Sequence, residues 1–359
     1  MYKIFKDKKI IVTGHTGFKG SWLSLWLSIL GAKVTGISDN IPTVPSNFKA
    51  IKLDLKIEDL RCDINDLPSL EKVFKKIKPD FIFHLAAQSL VNESYYNPLN
   101  TFKTNGIGTL NILDSIKRLN NKCVAILITS DKCYFNKEWI WGYRETDEIG
   151  GLDPYSGSKG VAELIIRSYY NSFFYNKDNL IKIGIGRAGN VIGGGDWANN
   201  RIVPDIVKSW SKNKKLTLRN PNATRPWQHV LEPLSGYLRL AKQLYESSDL
   251  NGEAFNFGPA SDEEFSVLDL VKEMSNHWPN VSWTVNEPLK KTKYESQLLK
   301  LNCDKALAKL KWKSTMTFSE TVKMTAEWYK TFYQSPDKTL NYSLMQIKEY
   351  QKLLTERSI

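Results

Sequence analysis

The chain has 359 residues, 42% of them hydrophobic and 25% charged, an ordinary globular composition, for which disorder is not the default, with length enough for one large domain or two coupled ones. Its 50 lysines and arginines against 38 acidic residues give a formal charge of +12, but the lysines form no dense block interleaved with aromatics, which points away from nucleic acid and towards a small polyanionic substrate. The most apolar early segment, Trp22 to Gly31, falls well short of the roughly 20 residues a membrane span requires, so no membrane crossing is expected.

Lys3, Lys6, Lys8 and Lys9 lead straight into a β-branched run, without the apolar stretch and small-residue cleavage site of a secretory leader. A cytoplasmic protein is expected. Cys62, Cys123, Cys133 and Cys303 show no CxxC spacing, and His15, His84, His229 and His277 form no pair at ligand spacing, so reduced thiols and no metal are expected. His84, in an apolar strand, reads as a satisfied core histidine, and Trp139, Trp141 and Trp197 read as core-packing or loop-anchoring residues ahead of pocket lining.

Residues 9 to 13 read as a strand, followed by a glycine turn and a helix over about Ser21 to Leu30. The pattern repeats: strand Lys33 to Ser38, helix Leu67 to Ile77, strand Phe81 to Leu85, helix Thr101 to Arg118, strand Val124 to Thr129, helix Ser156 to Tyr175 and strand Lys182 to Gly186. Such alternation predicts an α/β fold, a Rossmann-like doubly wound parallel sheet. After Arg187 the chain becomes glycine-rich at Gly189 to Asp196 and turn-forming at Asn220 to Pro226, as substrate loops would be. A helix at Pro233 to Tyr245, a strand at Ala254 to Phe257 and a helix at Val267 to Trp278 follow. The division expected is a dinucleotide-binding unit of 1–188 plus about 224–258, interwoven with a smaller substrate unit of 189–223 and 259–359.

Gly14-His15-Thr16-Gly17-Phe18-Lys19-Gly20 sits between a strand and a helix, where glycines let a pyrophosphate approach backbone N–H groups at a helix N-terminus. The spacing is GxxGxxG, looser than the usual dinucleotide fingerprint, and His15 is placed to touch the phosphates. Asp39 ends the second strand, where a carboxylate accepts bonds from both ribose hydroxyls and repels a 2′-phosphate, favouring NAD over NADP. Tyr155 and Lys159 lie four residues apart on one helix face, so a cation can stabilise the phenolate of a tyrosine whose ordinary pKa is about 10. Ser130-Asp131-Lys132 follows the strand Ile126 to Thr129, beyond whose C-terminal end ligands of such sheets bind.

With Leu85-Ala86-Ala87 and Asn105 added, these residues resemble the extended short-chain dehydrogenase/reductases. Within that family the segments Gly14 to Trp22, Pro42 to Ser46, Thr129 to Tyr134, Gly189 to Trp197 and Arg225 to Val230 resemble the CDP-glucose 4,6-dehydratases. The resemblance implies bound NAD, a CDP-glucose substrate, deoxysugar and lipopolysaccharide O-antigen biosynthesis, and a homodimer or homotetramer. It implies that Tyr155, with Lys159 and Ser130, takes the 4-hydroxyl proton as hydride leaves C4, and that a protonated Asp131 donates to the departing 6-hydroxyl. Related dTDP-glucose enzymes carry a glutamate where Lys132 stands, so Lys132 acts either as the C5 base or as a cation stabilising the enolate. The resemblance also implies cofactor contacts from Leu85, Ala86, Ala87 and Asn105, with Asp63 and Ile64 near the adenine. Substrate contacts are expected from Gln88, Ser130, Asn190 and Arg201, and from Arg225, a guanidinium that can clamp a pyrophosphate. A sugar-nucleotide 4-epimerase shares this machinery but needs no Asp131-Lys132 pair. A non-catalytic NAD-sensing or RNA-binding protein on the same fold would not need Tyr155 and Lys159.

Overall fold

The computed structural model describes residues 2–176, 178–218, 220–260, 264–285 and 298–357. Seven parallel strands form the central sheet: β1 Lys9–Thr13, β2 Lys33–Ser38, β3 Glu58–Arg61, β4 Phe81–His84, β5 Cys123–Ile128, β6 Ile181–Ala188 and a seventh, Ala254–Phe257. Their order across the sheet is seventh, β6, β5, β4, β1, β2, β3. The order reverses between β1 and β4, and in such sheets the crevice at that switch point receives the ligand.

Apart from the polar edge strand β3, the strands are buried on both faces, as their near-continuous apolar runs require, and successive side chains serve different cores. Ile10, Val12, Phe81, Phe83, Val124 and Ile126 point into the larger core with the helices Phe18–Ile29 and Leu231–Glu246. Ile11, Ile82, Ala125, Leu127 and Ile183 point into the smaller one with Leu67–Ile77, Gly108–Lys117 and the C-terminal half of Pro154–Tyr169. No helix among the described residues is long and apolar enough to cross a membrane.

Most expected elements lie within a few residues of their sequence limits, with three informative differences. The helix expected at Thr101 to Arg118 starts at Pro98 and carries a π turn at Lys103–Ile107, a widening often found at functional sites. The sequence around Glu58–Arg61 gives no strand signal because this edge strand is polar. Beyond Trp278 the helices Asp304–Leu310, Phe318–Gln334 and Thr339–Glu356 complete the larger core. The middle one opens on a capping box, Thr317 with Glu320.

Behind the C-terminal strand ends lies a dry polar network. Arg187, at the end of β6, donates from Nε and Nη2 to the two oxygens of Glu163, each at 2.8 Å, and these side chains are 2% and 4% exposed. Thr129 donates to the same carboxylate at 2.6 Å. The third guanidinium nitrogen, Nη1, reaches the Tyr134 hydroxyl at 2.7 Å and the Glu145 carbonyl at 3.0 Å. Tyr134 in turn donates to Asn256 of the seventh strand at 2.8 Å. Burial disfavours the Glu163 charge, but the Arg187 charge and hydrogen bonds outweigh it and hold the carboxyl below the usual range. Removing one partner of a buried pair leaves the other uncompensated, whereas replacing both by apolar groups is often neutral. Glu163→Ala is therefore expected to lower unfolding free energy by about 3–5 kcal/mol, with Glu163→Leu/Arg187→Met losing less, as read from urea midpoints.

Candidate active site

The C-terminal ends of β1, β2, β4, β5 and β6 open on one cleft of about 1270 Å³. Its floor is the glycine turn. Gly14 has φ +73°, and a Cβ there would stand 2.7 Å from the Ala86 nitrogen. A Cβ on Gly20 would stand 2.1 Å from the Gly14 carbonyl oxygen. Gly17 caps the following helix without a side-chain bond, so the first-turn N–H groups have no side-chain cap and a phosphate can take them. Thr16 fixes the next loop by donating to the Asn40 carbonyl at 2.7 Å. Asp39 stands exposed at the end of β2, accepting from the Asn40 N–H at 2.8 Å, and Asp63 and Ile64 close the same end of the cleft. A close-approach turn at one end of a helix and a carboxylate at the next strand end fit a dinucleotide.

At the other end the catalytic candidates converge. Asp153 accepts the Ser156 N–H at 3.0 Å and the Ser156 hydroxyl at 2.6 Å, capping the helix that carries Tyr155 and Lys159. Pro154 supplies the fixed φ of the first helical position. Ser130 caps a tight turn of Asp131 to Cys133, accepting the Lys132 N–H at 3.2 Å and donating to Asp131 at 2.8 Å. Asp131 is buried, and a Cβ on Gly189 would lie 3.0 Å from its Oδ2, so the substrate loop passes directly against that carboxylate. Lys132 is half-buried on the cleft wall.

Charge is costly here. Burial pushes the Tyr155 phenol up to about 12, against a hydrogen bond with Ser130 that favours the phenolate. Burial likewise brings the Lys159 ammonium down to about 8, and the Lys19 ammonium, facing Asp131, Arg201 and Lys159, down to about 8. The expectation that the cation lowers the phenol is thus corrected for the protein alone: the Lys159 nitrogen lies 6.0 Å from the Tyr155 ring centroid, and desolvation outweighs it.

The cleft also gathers Phe18, Leu85, Ala87, Gln88, Asn190, Arg201 and Arg225. Two sequence expectations need correction. The His15 imidazole lies beneath the turn, not in the cleft: its Nε2 is 2.8 Å from Asp59 and its ring meets Phe48 edge-on. Asn105, freed by the π turn, accepts the Gln88 N–H at 2.9 Å and donates to the Gln88 carbonyl at 3.0 Å and to Ser158 at 2.8 Å. It therefore supports the cleft wall from behind. The Gln88 amide is engaged with Leu90 and Thr101, ordering its own loop. His84 is a satisfied core residue, 2.7 Å from Thr13 and 3.2 Å from Thr109, and burial holds it at about 3. Trp197 packs among Trp328, Tyr329 and Phe332. Sequence reasoning missed Glu163 and Asp153, although a carboxylate four residues beyond Lys159 on the same face was a readable signal.

The sequence model of GDP-mannose 4,6 dehydratase matches residues 11–325. A CDP-glucose 4,6-dehydratase of Salmonella typhimurium is 44% identical over 98% of each chain. A dTDP-D-glucose 4,6-dehydratase of Dictyostelium discoideum is 26% identical, covering 75% of this chain and 62% of its own. Among solved structures, a UDP-glucose 4-epimerase of Thermotoga maritima superposes with a TM-score of 0.76 at 22% identity, over 90% of this chain and 99% of its own. A dTDP-glucose 4,6-dehydratase of Bacillus anthracis in complex with NAD gives 0.72 at 21%, over 90% and 97%. These two show the fold.

Because a Cβ on Gly20 would overlap the Gly14 carbonyl, Gly20→Ala is expected to force the turn open. The expected cost is about 1–3 kcal/mol, seen as a lower melting temperature. The cleft-facing backbone should show faster amide exchange at residues 14–18.

Proposed function

The chain belongs to the GDP-mannose 4,6-dehydratase family, and from that premise we propose that it is an NAD-dependent sugar-nucleotide 4,6-dehydratase, a lyase converting CDP-glucose to CDP-4-keto-6-deoxyglucose. One observation carries the reading: Asp131 and Lys132, the groups an elimination needs, follow Ser130 in a tight turn that shares the cleft with Tyr155 and Lys159. The choice of CDP-glucose is supported by the near full-length similarity to the Salmonella enzyme.

The glycine turn and Asp39 would hold NAD⁺, which when bound would supply the hydride acceptance and return that the conversion requires. The chain's own residues manage protons and charge. Tyr155 takes the proton of the sugar 4-hydroxyl, with the Ser130 hydrogen bond favouring its phenolate. A ketone at C4 then acidifies the C5 proton. Asp131 donates to the departing 6-hydroxyl, since hydroxide leaves poorly without a general acid. Lys132, one residue further on the same cleft wall, serves in this reading either to receive the C5 proton or to stabilise the enolate. Arg225 and Asn190, on the far wall, take the sugar nucleotide, and the guanidinium suits its diphosphate.

The reading extends to the whole chain. Residues 1–188 with 224–258 serve as the dinucleotide unit and 189–223 with 259–359 as the substrate unit. The pairing of the seventh strand with β6 supports that interweaving. A homo-oligomer is supported by an exposed apolar face shared by two adjacent helices: Phe102 and Ile107 on one, Val161 and Leu164 on the other, 37–55% exposed. Gly106 and Gly157 bring those helices together, being within reach of Val161 and Phe102. Four free cysteines suit a cytoplasmic enzyme, and the product would enter deoxysugar synthesis for O-antigen.

Incubation of the protein with NAD and CDP-glucose in heavy water, with dTDP-glucose, GDP-mannose and UDP-glucose alongside, tests the reading by mass spectrometry. The expected product has lost one water and gained one solvent deuteron at C5, with CDP-glucose preferred. Tyr155→Phe should slow it roughly 10²- to 10⁴-fold. Conversion of UDP-glucose to an isomer of equal mass, with no water lost from any sugar, would replace the dehydratase by an epimerase.

A further inference from the structure

The buried carboxyl of Asp131 is held at both oxygens. Its Oδ1 accepts the Ser130 hydroxyl at 2.8 Å, and its Oδ2 lies against the main chain of Gly189. A Cβ on that glycine would stand 3.0 Å from Oδ2, 3.5 Å from the carboxyl carbon and 3.8 Å from Pro226 Cγ. The wall behind the carboxyl is braced. Ala188, just before Gly189, pairs with Phe257 of the seventh strand, and Val191–Ile192, just after Asn190, pairs in parallel with Gln228–His229. Pro226 is fixed through its neighbours, because Trp227 donates from Nε1 to the Phe265 carbonyl at 3.1 Å and Gln228 from Nε2 to the Phe257 carbonyl at 3.0 Å. With one oxygen tied to Ser130 and the other backed by braced main chain, the carboxyl is fixed where it lines the cleft.

We propose that Gly189 is a positioning residue for the elimination: having no side chain, it lets the substrate loop lie against Asp131 and hold the carboxyl where it meets the sugar 6-hydroxyl. The inference rests on the dehydratase reading, in which Asp131 delivers a proton to that hydroxyl. In that step the C5–H bond gives up its proton and its electron pair forms the C5–C6 double bond. The C6–O bond breaks with its pair going to oxygen, which takes the Asp131 proton and departs as water. The hydride removed from C4 then returns to C6 and a proton to C5, so no outside reductant is needed. A methyl group at position 189 would meet the carboxyl oxygen at a distance too short for a methyl and an oxygen, with Pro226 already in contact and little room to give, so the carboxyl has to shift. Misplacing a reacting group by about 1 Å costs about 10²-fold in rate. Removal of the 4-hydroxyl proton by Tyr155 does not use this wall, so the loss falls on protonation of the leaving group.

The test compares kcat on CDP-glucose with kcat on its 6-deoxy-6-fluoro analogue, for wild type, Gly189→Ala, Asp131→Ala and the double variant. Fluoride is a weak base that leaves without a proton, so the analogue gives the same product by loss of fluoride and bypasses the general acid. Gly189→Ala should lower kcat on CDP-glucose about 10- to 100-fold and on the fluoro sugar less than about threefold. Asp131→Ala should show the same split more strongly. Adding Gly189→Ala to Asp131→Ala should cost less than about twofold more, because residues that act through one contact are not additive. Equal falls on the two sugars in Gly189→Ala, or no fall on either, would overturn the proposal, as would losses that multiply in the double variant. If Gly189→Ala alone does not fold, the double variant decides: recovery of the wild-type melting temperature on removing the carboxyl supports the contact, and failure to recover overturns it. The dehydratase reading is judged separately, on wild type. If wild type dehydrates a sugar carried on another nucleotide, only the CDP assignment fails and the same comparison is run on that sugar; if it dehydrates none, the reading and this inference fall together.

Discussion

The two-pronged bond between Glu163 and Arg187 fixes where everything else can be. Glu163 lies one turn beyond Lys159 and two beyond Tyr155 on a single helix, while Arg187 ends β6 just before the chain leaves the sheet for the substrate loop. Any rotation of the Tyr155 helix would pull that carboxylate off a guanidinium with nowhere else to go. A buried pair of this kind gives little net stability in itself, because desolvation consumes most of the Coulombic gain. What it supplies is register, and it does so only because the surrounding groups are satisfied. Thr129, Tyr134 and the Glu145 carbonyl complete the donor and acceptor count, and Asn256 ties the seventh strand to the same network.

Desolvation also sets the chemistry of the cleft in front of that network. It neutralises the phenol of Tyr155 and pushes Lys159 and Lys19 towards losing their protons. An active site that disfavours charge on its own acid–base groups waits for ligands that carry charge. A diphosphate beside Lys19 would favour its ammonium, and a cation beside Tyr155 would favour its phenolate. The sequence motif of a tyrosine four residues before a lysine describes one such contribution. The folded protein adds the hydroxyl of Ser130, which arrives from a different element and favours the phenolate by a hydrogen bond.

The layout of the sheet was legible in the sequence because its strands are buried on both faces and read as apolar runs punctuated by helices of the right length. Lys9 to Thr13 and Ala254 to Phe257 coincide with the expected limits. Edge strand Glu58 to Arg61 was not legible, since a strand with one neighbour and polar side chains carries no periodic signal. The glycine turn was legible as a turn, but the direction of His15 was not. Only the tertiary fold reveals that Gly36, in the neighbouring strand, leaves room for an imidazole beneath the turn: a Cβ on Gly36 would come within 2.2 Å of it. Asn105 was found for its place in a motif and does something that no motif states: from within the π turn it holds the Gln88 backbone.

The same limit applies most strongly to the loop Gly189 to Asn200, whose three consecutive glycines read only as part of a substrate loop. Two of them are there for close approach. A Cβ on Gly194 would sit 2.0 Å from the Trp328 ring, and one on Gly195, at φ +90°, 2.5 Å from Asn47. Trp22 donates to the Gly194 carbonyl at 2.8 Å from the first helix of the fold. The substrate loop is therefore clamped between the cofactor end of the chain and a helix more than a hundred residues downstream. Its conformational entropy is lost during folding and not during binding, which is how preorganised sites keep affinity and geometry together. The C-terminal helices, silent in the motif reading, thereby belong to the active site as fully as the glycine turn does, since they decide where Asp196 and Arg201 stand before any substrate arrives.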